Sequence, residues 1–74
     1  MKLPRVTGRE VVRALERAGF LFDRQRGSHV ILIHPRTRLR VSVPVHAGRT
    51  VKIGTLKGIL EDAGISPDDF RRFL

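Results

Sequence analysis

Three histidines are the side chains of this 74-residue chain that can transfer protons near neutral pH: His29, His34 and His46. The chain has no cysteine, which excludes a cysteine nucleophile and a thiolate metal site. His29 and His34 stand five residues apart in a strand-like segment, so we expect their side chains on opposite faces, where they cannot share a metal ion. The pattern favours proton transfer by an imidazole over a histidine metal centre.

Positive charge is concentrated in the middle of the chain. The whole sequence contains 15 Lys and Arg against 7 Asp and Glu, a net charge of +8. Residues 24–60 include no Asp or Glu but eight basic residues, namely Arg24, Arg26, Arg36, Arg38, Arg40, Arg49, Lys52 and Lys57. A segment with charge of one sign is typical of a surface that binds a polyanion. It also lacks the clustered carboxylates of a two-metal nuclease, so we expect neither a metal nor another cofactor.

These residue types suit RNA as a substrate, because RNA carries its own nucleophile in the 2′-hydroxyl group. An imidazole can move the protons, and arginine or lysine can stabilise the negative charge of a phosphorane. The four Phe are accompanied by no Trp or Tyr, which favours recognition of the RNA backbone over stacking on bases. The residues alone favour a non-catalytic RNA-binding module over a nuclease, and a domain that binds an acidic protein is a further alternative.

His29 is the best placed of the three histidines. It follows Gly27 and Ser28, which form a turn signal, and Arg24 and Arg26 precede that turn. A glycine here permits positive φ and a tight turn, which would hold the imidazole at the edge of a sheet among cations. On the local sequence, a histidine that begins a strand and makes a structural hydrogen bond is an equal alternative.

The other two histidines carry weaker signals. His34 stands before a proline and is expected only to end a strand, while His46 lies in a loop and either assists or is solvated. Beyond that loop, Lys52 and Thr55 flank the start of a predicted helix, whose free N–H groups form an anion site. We expect these two side chains to bind RNA phosphate.

Local patterns predict the order of the elements. Thr7 and Glu10 have the spacing of a capping box and Gly19 can end a helix, so residues 8–18 are predicted to form an amphipathic helix. Three strand-like runs then follow, separated by short turn signals, at residues 20–25, 29–34 and 38–45. This arrangement is typical of an antiparallel meander.

The strand-like runs also predict the faces of the sheet. In the third run, the residues expected on the packed face are Leu39, Val41 and Val43. Those expected on the solvated face are Arg38, Arg40 and Ser42. The second run is apolar on both faces, which suits a central strand and makes its outer apolar residues a candidate surface for protein contact.

A second helix is predicted from residues 53–55 to its end at Gly64, and a short helical turn follows. The apolar residues assigned to these elements are Leu56, Ile59, Leu60, Ala63, Phe70 and Phe73. The expected fold is α+β, an α-β-β-β-α arrangement with a three-stranded antiparallel sheet, two helices on one face and a short C-terminal helical turn. The expected fold resembles the architecture of the double-stranded RNA-binding domain, which is an analogy of fold and not evidence of function. We expect it as a single domain over residues 1–74.

The sequence also bears on localisation. The longest uninterrupted apolar run, residues 30–33, is too short to cross a membrane. The N-terminal residues reach charged side chains before any apolar stretch, so we expect no signal peptide. Together with the lack of cysteine, these features predict a soluble cytoplasmic protein without membrane contact, monomeric on its own.

The chain resembles the HicA family, the toxins of HicA–HicB toxin–antitoxin pairs. The resemblance rests on the order and spacing of four segments: TGREVVRALERAGF, RQRGSHVIL, VSVPVHAGR and KIGTLKGILEDAGIS. It implies a fold like the double-stranded RNA-binding domain and a ribosome-independent mRNA interferase whose catalytic histidine, in the Gly-Ser-His motif, is His29. It also implies mRNA as the substrate and a HicB-type antitoxin as the protein partner.

The resulting hypothesis is a metal-independent endoribonuclease that uses His29 as general acid or base. Six further residues are assigned to substrate binding from their charge and position, and not from the family: Arg24, Arg26, Gly27, Ser28, Lys52 and Thr55. The second proton-transfer group stays open among Ser28, His46 and water. A non-catalytic RNA-binding module that uses the basic face of the sheet is the alternative.

Overall fold

The elements of the chain follow the order helix, three strands, helix and helix in a computed structural model that describes residues 3–74. Their bounds are α1 (Gly8–Arg17), β1 (Leu21–Arg26), β2 (His29–Ile33), β3 (Arg40–Pro44), α2 (Ile53–Ala63) and α3 (Pro67–Phe73). The three strands form one antiparallel sheet in the order β1-β2-β3, so β2 is central, as its apolar sequence predicted. The predicted α+β fold is confirmed.

Helix α1 begins at a complete capping box. The Thr7 hydroxyl accepts from the Glu10 backbone N–H at 3.2 Å, and the Glu10 carboxylate accepts from the Thr7 backbone N–H at 2.8 Å. The Thr7 hydroxyl also donates to this carboxylate at 3.1 Å, and the hydrogen bonds from the Thr7 backbone N–H and hydroxyl lower the pKa of Glu10 below its usual value. The helix ends at Ala18, and Gly19 then adopts a φ of 104°, so the prediction of residues 8–18 is confirmed to within one residue.

The core lies between the helices and one face of the sheet. Strands β2 and β3 contribute buried side chains to it at alternating positions, which the sequence pattern had predicted for β3. The largest fully buried side chains are Val11, Leu15, Leu32, Val41, Val43, Leu56 and Phe70. Helix α3 is longer than the single turn predicted, and Ser66 caps it by accepting from the Asp69 N–H at 3.1 Å.

The start of β3 differs from the prediction. Arg38 and Leu39 precede the strand, which begins at Arg40, and Leu39 is 38% exposed and not packed in the core. The physical reason is a closed turn: His34 N–H donates to the Leu39 carbonyl at 2.9 Å, and Arg38 N–H donates to the His34 carbonyl at 2.8 Å. Arg38 adopts a left-handed φ of 66° to complete that turn, which breaks the alternation.

Among residues 3–74, no helix is both long enough and apolar enough to cross a membrane.

Candidate active site

A cleft of about 450 Å³ lies at the end of the sheet where β2 begins, β3 ends and α2 begins. Its lining consists of His29, Pro44, His46, Arg49, Thr50, Val51, Lys52 and Thr55. Two imidazoles and two cationic side chains therefore face one concavity, and none of the lining residues is acidic. Such a cleft attracts an anion and offers groups that can transfer protons to it or from it.

A two-residue turn positions His29. Arg26 and His29 are paired across β1 and β2, so Gly27 and Ser28 alone connect the strands, and Gly27 has a φ of 58°. A Cβ added to Gly27 would meet no atom within 4 Å, so the glycine is required by backbone conformation and not by lack of space. On its other side His29 pairs with Pro44 of β3, which places the histidine at the beginning of the central strand.

The imidazole of His29 has no structural partner. It is exposed, and no group among residues 3–74 makes a hydrogen bond, an ion pair or a ring contact with it. A strand-start histidine with a structural hydrogen bond was the alternative suggested by the local sequence. The described contacts give no support to that alternative, because both ring nitrogens are open to the cleft or to solvent.

His34 shows the opposite pattern. Its Nδ1 accepts from the backbone N–H groups of Arg36 at 3.1 Å and Thr37 at 3.3 Å, and its ring packs edge-on against Phe20 with centroids 5.0 Å apart. It lies just beyond the end of β2, five residues from His29. His34 therefore stabilises the turn between β2 and β3, in agreement with its predicted role at the end of a strand.

The loop after β3 brings His46 into the cleft. Arg49 N–H donates to the His46 carbonyl at 3.1 Å, which closes a turn that contains Gly48 with a φ of 74°. The far end of the loop is held by a bridge between Thr7 and Thr50. The imidazole of His46 is exposed, and no hydrogen bond to it is found among residues 3–74. The sequence left open whether His46 assists His29 or is only solvated. In the structure, His46 is part of the lining that also includes His29.

The start of α2 forms another part of the lining. Lys52 is the N-cap residue, and no side chain caps the helix by a hydrogen bond. The first turn contains no acidic residue, so its partial positive charge is not neutralised within the helix. Lys52 and Thr55 both line the cleft, where the sequence had placed an anion site.

Four residues assigned to substrate binding do not line the cleft: Arg24, Arg26, Gly27 and Ser28. Arg26 is still close, because it is the direct cross-strand partner of His29. Arg24 pairs with Ile31 further along the sheet, and its Nε lies 3.9 Å from the Asp23 carboxylate. Ser28 is half-buried, and its carbonyl accepts from Val45 N–H at 2.6 Å, so its backbone holds the turn against the next strand.

Sequence reasoning missed two polar residues of the lining, Arg49 and Thr50, as well as the apolar Pro44 and Val51. Val51 N–H donates to the Val6 carbonyl at 2.7 Å, and Arg5 donates to the Thr50 hydroxyl at 3.3 Å. These contacts between the N-terminal segment and the end of the loop fix where both residues lie. The available signal was a lone arginine in a glycine-containing loop directly before a helix.

The residues of the cleft lie within a segment that matches a known family. The sequence model described as the HicA toxin of bacterial toxin–antitoxin systems matches residues 8–65, which span from the first residue of α1 to just beyond α2. No individual curated protein matches the chain. The family match covers more than half of the 74 residues and includes every residue that lines the cleft. The chain belongs to the HicA toxin family.

Proposed function

We propose that this toxin is a metal-independent endoribonuclease that cleaves mRNA in the cytoplasm with His29 as general acid or base. The observation that carries the proposal is an imidazole without structural partners in a cationic, carboxylate-free cleft. Among residues 3–74, no group of three or more His, Cys, Asp or Glu residues is arranged to hold a metal ion. The chemistry assigned to the cleft is therefore built from the chain's own side chains and the 2′-hydroxyl of the substrate.

The reaction proposed is an internal transesterification. The 2′-oxygen of one nucleotide attacks the adjacent phosphorus and loses its proton to a base, and a bond from phosphorus to the 5′-oxygen of the next nucleotide breaks. The 5′-oxygen leaves with its electron pair and takes up a proton. The products are a 2′,3′-cyclic phosphate and a 5′-hydroxyl, so neither water nor a metal-bound nucleophile enters this step.

The cationic groups of the cleft have a separate task, which is to stabilise the phosphorane. Arg49 can donate two parallel hydrogen bonds to phosphate oxygens, and Lys52 adds a compact charge beside the free amides at the start of α2. Thr55 adds a hydroxyl donor. Outside the cleft, Arg24 and Arg26 are proposed to bind flanking phosphates, while Gly27 and Ser28 hold the turn that presents His29.

A toxin of a toxin–antitoxin system has a cognate antitoxin, and we assign its contact to the outer face of the sheet next to the cleft. Ile31 and Ile33 are half-buried on that face, and Leu21, which pairs with Ile33, is 56% exposed. An acidic HicB-type partner would bury this apolar surface and complement the net charge of +8. His29 and Ile31 lie on the same face of β2, so a partner that extends over Ile31 toward the start of the strand would also block the approach of RNA to His29.

The deciding experiment incubates a long mRNA with the purified protein or its His29→Ala variant in excess EDTA. Loss of a general acid or base lowers the cleavage rate by about 10²- to 10⁴-fold. Thermal unfolding of both proteins checks that the exposed substitution leaves the fold intact. Equal cleavage by the variant would contradict the role of His29. Salt-sensitive binding of RNA by both proteins without cleavage would replace the proposal by a non-catalytic RNA-binding module.

A further inference from the structure

We propose that His46 is the second proton-transfer residue of the cleft, and that it works with His29 on one phosphodiester. This inference rests on the proposed ribonuclease activity and names the partner of His29 in it. His29 and His46 line the same cleft, whereas His34 lies at the other end of β2 with its ring against Phe20. Two of the three imidazoles are therefore placed to act on one substrate group.

The sheet register places the two histidines at a suitable spacing. His29 pairs with Pro44, and His46 follows Pro44 by two residues. The 2.6 Å hydrogen bond from Val45 N–H to the Ser28 carbonyl extends the pairing of β2 and β3 beyond Pro44. This hydrogen bond holds the residue after β3 beside the turn that precedes His29, and His46, the next residue of the loop, lies on the lining of the same cleft as His29. A phosphate bound in the cleft is thus flanked by His29 at the start of β2 and by His46 in the loop after β3.

The chemistry of RNA cleavage requires two proton transfers for each bond broken. A neutral imidazole accepts the proton of the 2′-hydroxyl, and an imidazolium donates a proton to the departing 5′-oxygen. The two rings exchange protonation states in the reaction, and proton exchange with water restores them. Histidine is the side chain whose charge changes most readily near neutral pH, so a pair of histidines can supply both transfers.

The other lining residues do not offer this second function. Arg49 and Lys52 are cationic donors that suit the stabilisation of phosphate charge, which is a different task from proton transfer. The lining contains no Asp or Glu. Ser28 does not line the cleft, and its backbone carbonyl is engaged by Val45 N–H. His46 is thus the residue of the lining that can complement His29.

The test compares the wild type, His29→Ala and His46→Ala on two substrates. One is an RNA dinucleotide, and the other has sulfur in place of its bridging 5′-oxygen, so that the thiolate leaves without protonation. We expect each variant to lose about 10²- to 10⁴-fold in rate on the oxygen substrate. On the sulfur substrate, the variant that lacks the general acid should recover to near the wild-type rate, and the variant that lacks the base should not.

The outcomes separate this inference from the proposed function. Cleavage of RNA by His46→Ala at the wild-type rate would overturn the role of His46 but not the proposed ribonuclease activity. Absence of RNA cleavage by the wild-type protein would refute the proposed function itself. Recovery of both variants, or of neither, on the sulfur substrate would overturn the acid–base pair. Ala47→Ser, which alters the same loop outside this cleft, is the matched control and should retain the wild-type rate.

Discussion

Replacement of Gly8 by alanine should destabilise this protein, although alanine is ordinarily the better helix former. Gly8 is the first residue of α1 and is buried against the end of β3. A Cβ added there would overlap the carbonyl oxygen of Pro44 and would lie 2.9 Å from the Cα of Val45. The obstacle is backbone, which cannot rotate away as a flexible side chain can. Helix α1 or the end of β3 must therefore move.

The magnitude follows from two opposing effects. Overpacking of a tight site costs about 1–3 kcal/mol, whereas replacement of glycine by alanine inside a helix contributes up to about 1 kcal/mol of stability. Gly58 in α2 isolates the second effect, because a Cβ added there would meet no atom within 4 Å. We therefore expect opposite signs, with Gly8→Ala less stable than the wild type and Gly58→Ala more stable.

Denaturant and thermal unfolding of the three proteins measure this difference. In a domain of this size, each kcal/mol shifts Tm by about 4–8 °C. Pro44 leads directly to the loop that carries His46, so a shift of Pro44 also moves that loop. The fraction of Gly8→Ala protein that remains folded should therefore cleave RNA more slowly than the wild type. A Gly8→Ala variant as stable as the wild type would refute the claim that this helix start and the end of β3 are in direct backbone contact.

Two further predictions concern charge. Lys52→Ala should weaken RNA binding, reduce the slope of log affinity against log salt by about one, and thereby slow cleavage. Lys57→Ala is an equal change of charge on α2 outside the cleft, and its rate of cleavage should stay near that of the wild type. Equal effects on the cleavage rate would contradict a local phosphate contact. Because the folded-state pKa of Glu10 is lowered, its carboxylate stabilises the fold at neutral pH and loses that effect as the pH falls through that folded-state pKa. Glu10→Gln should therefore make the denaturant midpoint less dependent on acidic pH, and an unchanged dependence would refute this role.

Elements specified by neighbouring residues could be predicted from the sequence. The capping box of Thr7 and Glu10 spans three residues, so its signal is complete in the local sequence, and the observed helix begins where predicted. Alternation of apolar residues likewise predicted the buried face of β3 at Val41 and Val43. The pattern failed at Leu39, because the backbone of His34, just beyond the preceding strand, exchanges hydrogen bonds with Arg38 and Leu39 in a turn that overrides the alternation.

Only part of the cleft could be predicted from neighbouring residues in the sequence. Gly27 is adjacent to His29, so the turn that presents this histidine could be inferred from the sequence. The positions of Arg49 and Thr50 could not, because contacts with residues 5–7, more than forty positions earlier in the chain, determine where the loop ends. These contacts exist only in the folded chain.

The sequence by itself determined the types of groups available, namely three imidazoles, a carboxylate-free basic segment and a glycine turn before one histidine. Tertiary structure decided which of these groups meet. The sequence predicted that His34 ends a strand and left open whether His46 assists or is solvated. Packing against Phe20 and two backbone donors engage His34, while the loop after β3 brings His46 onto the cleft lining that includes His29. The physical reason is that a site depends on distances between residues far apart in sequence, and these distances are set by strand pairing and core packing.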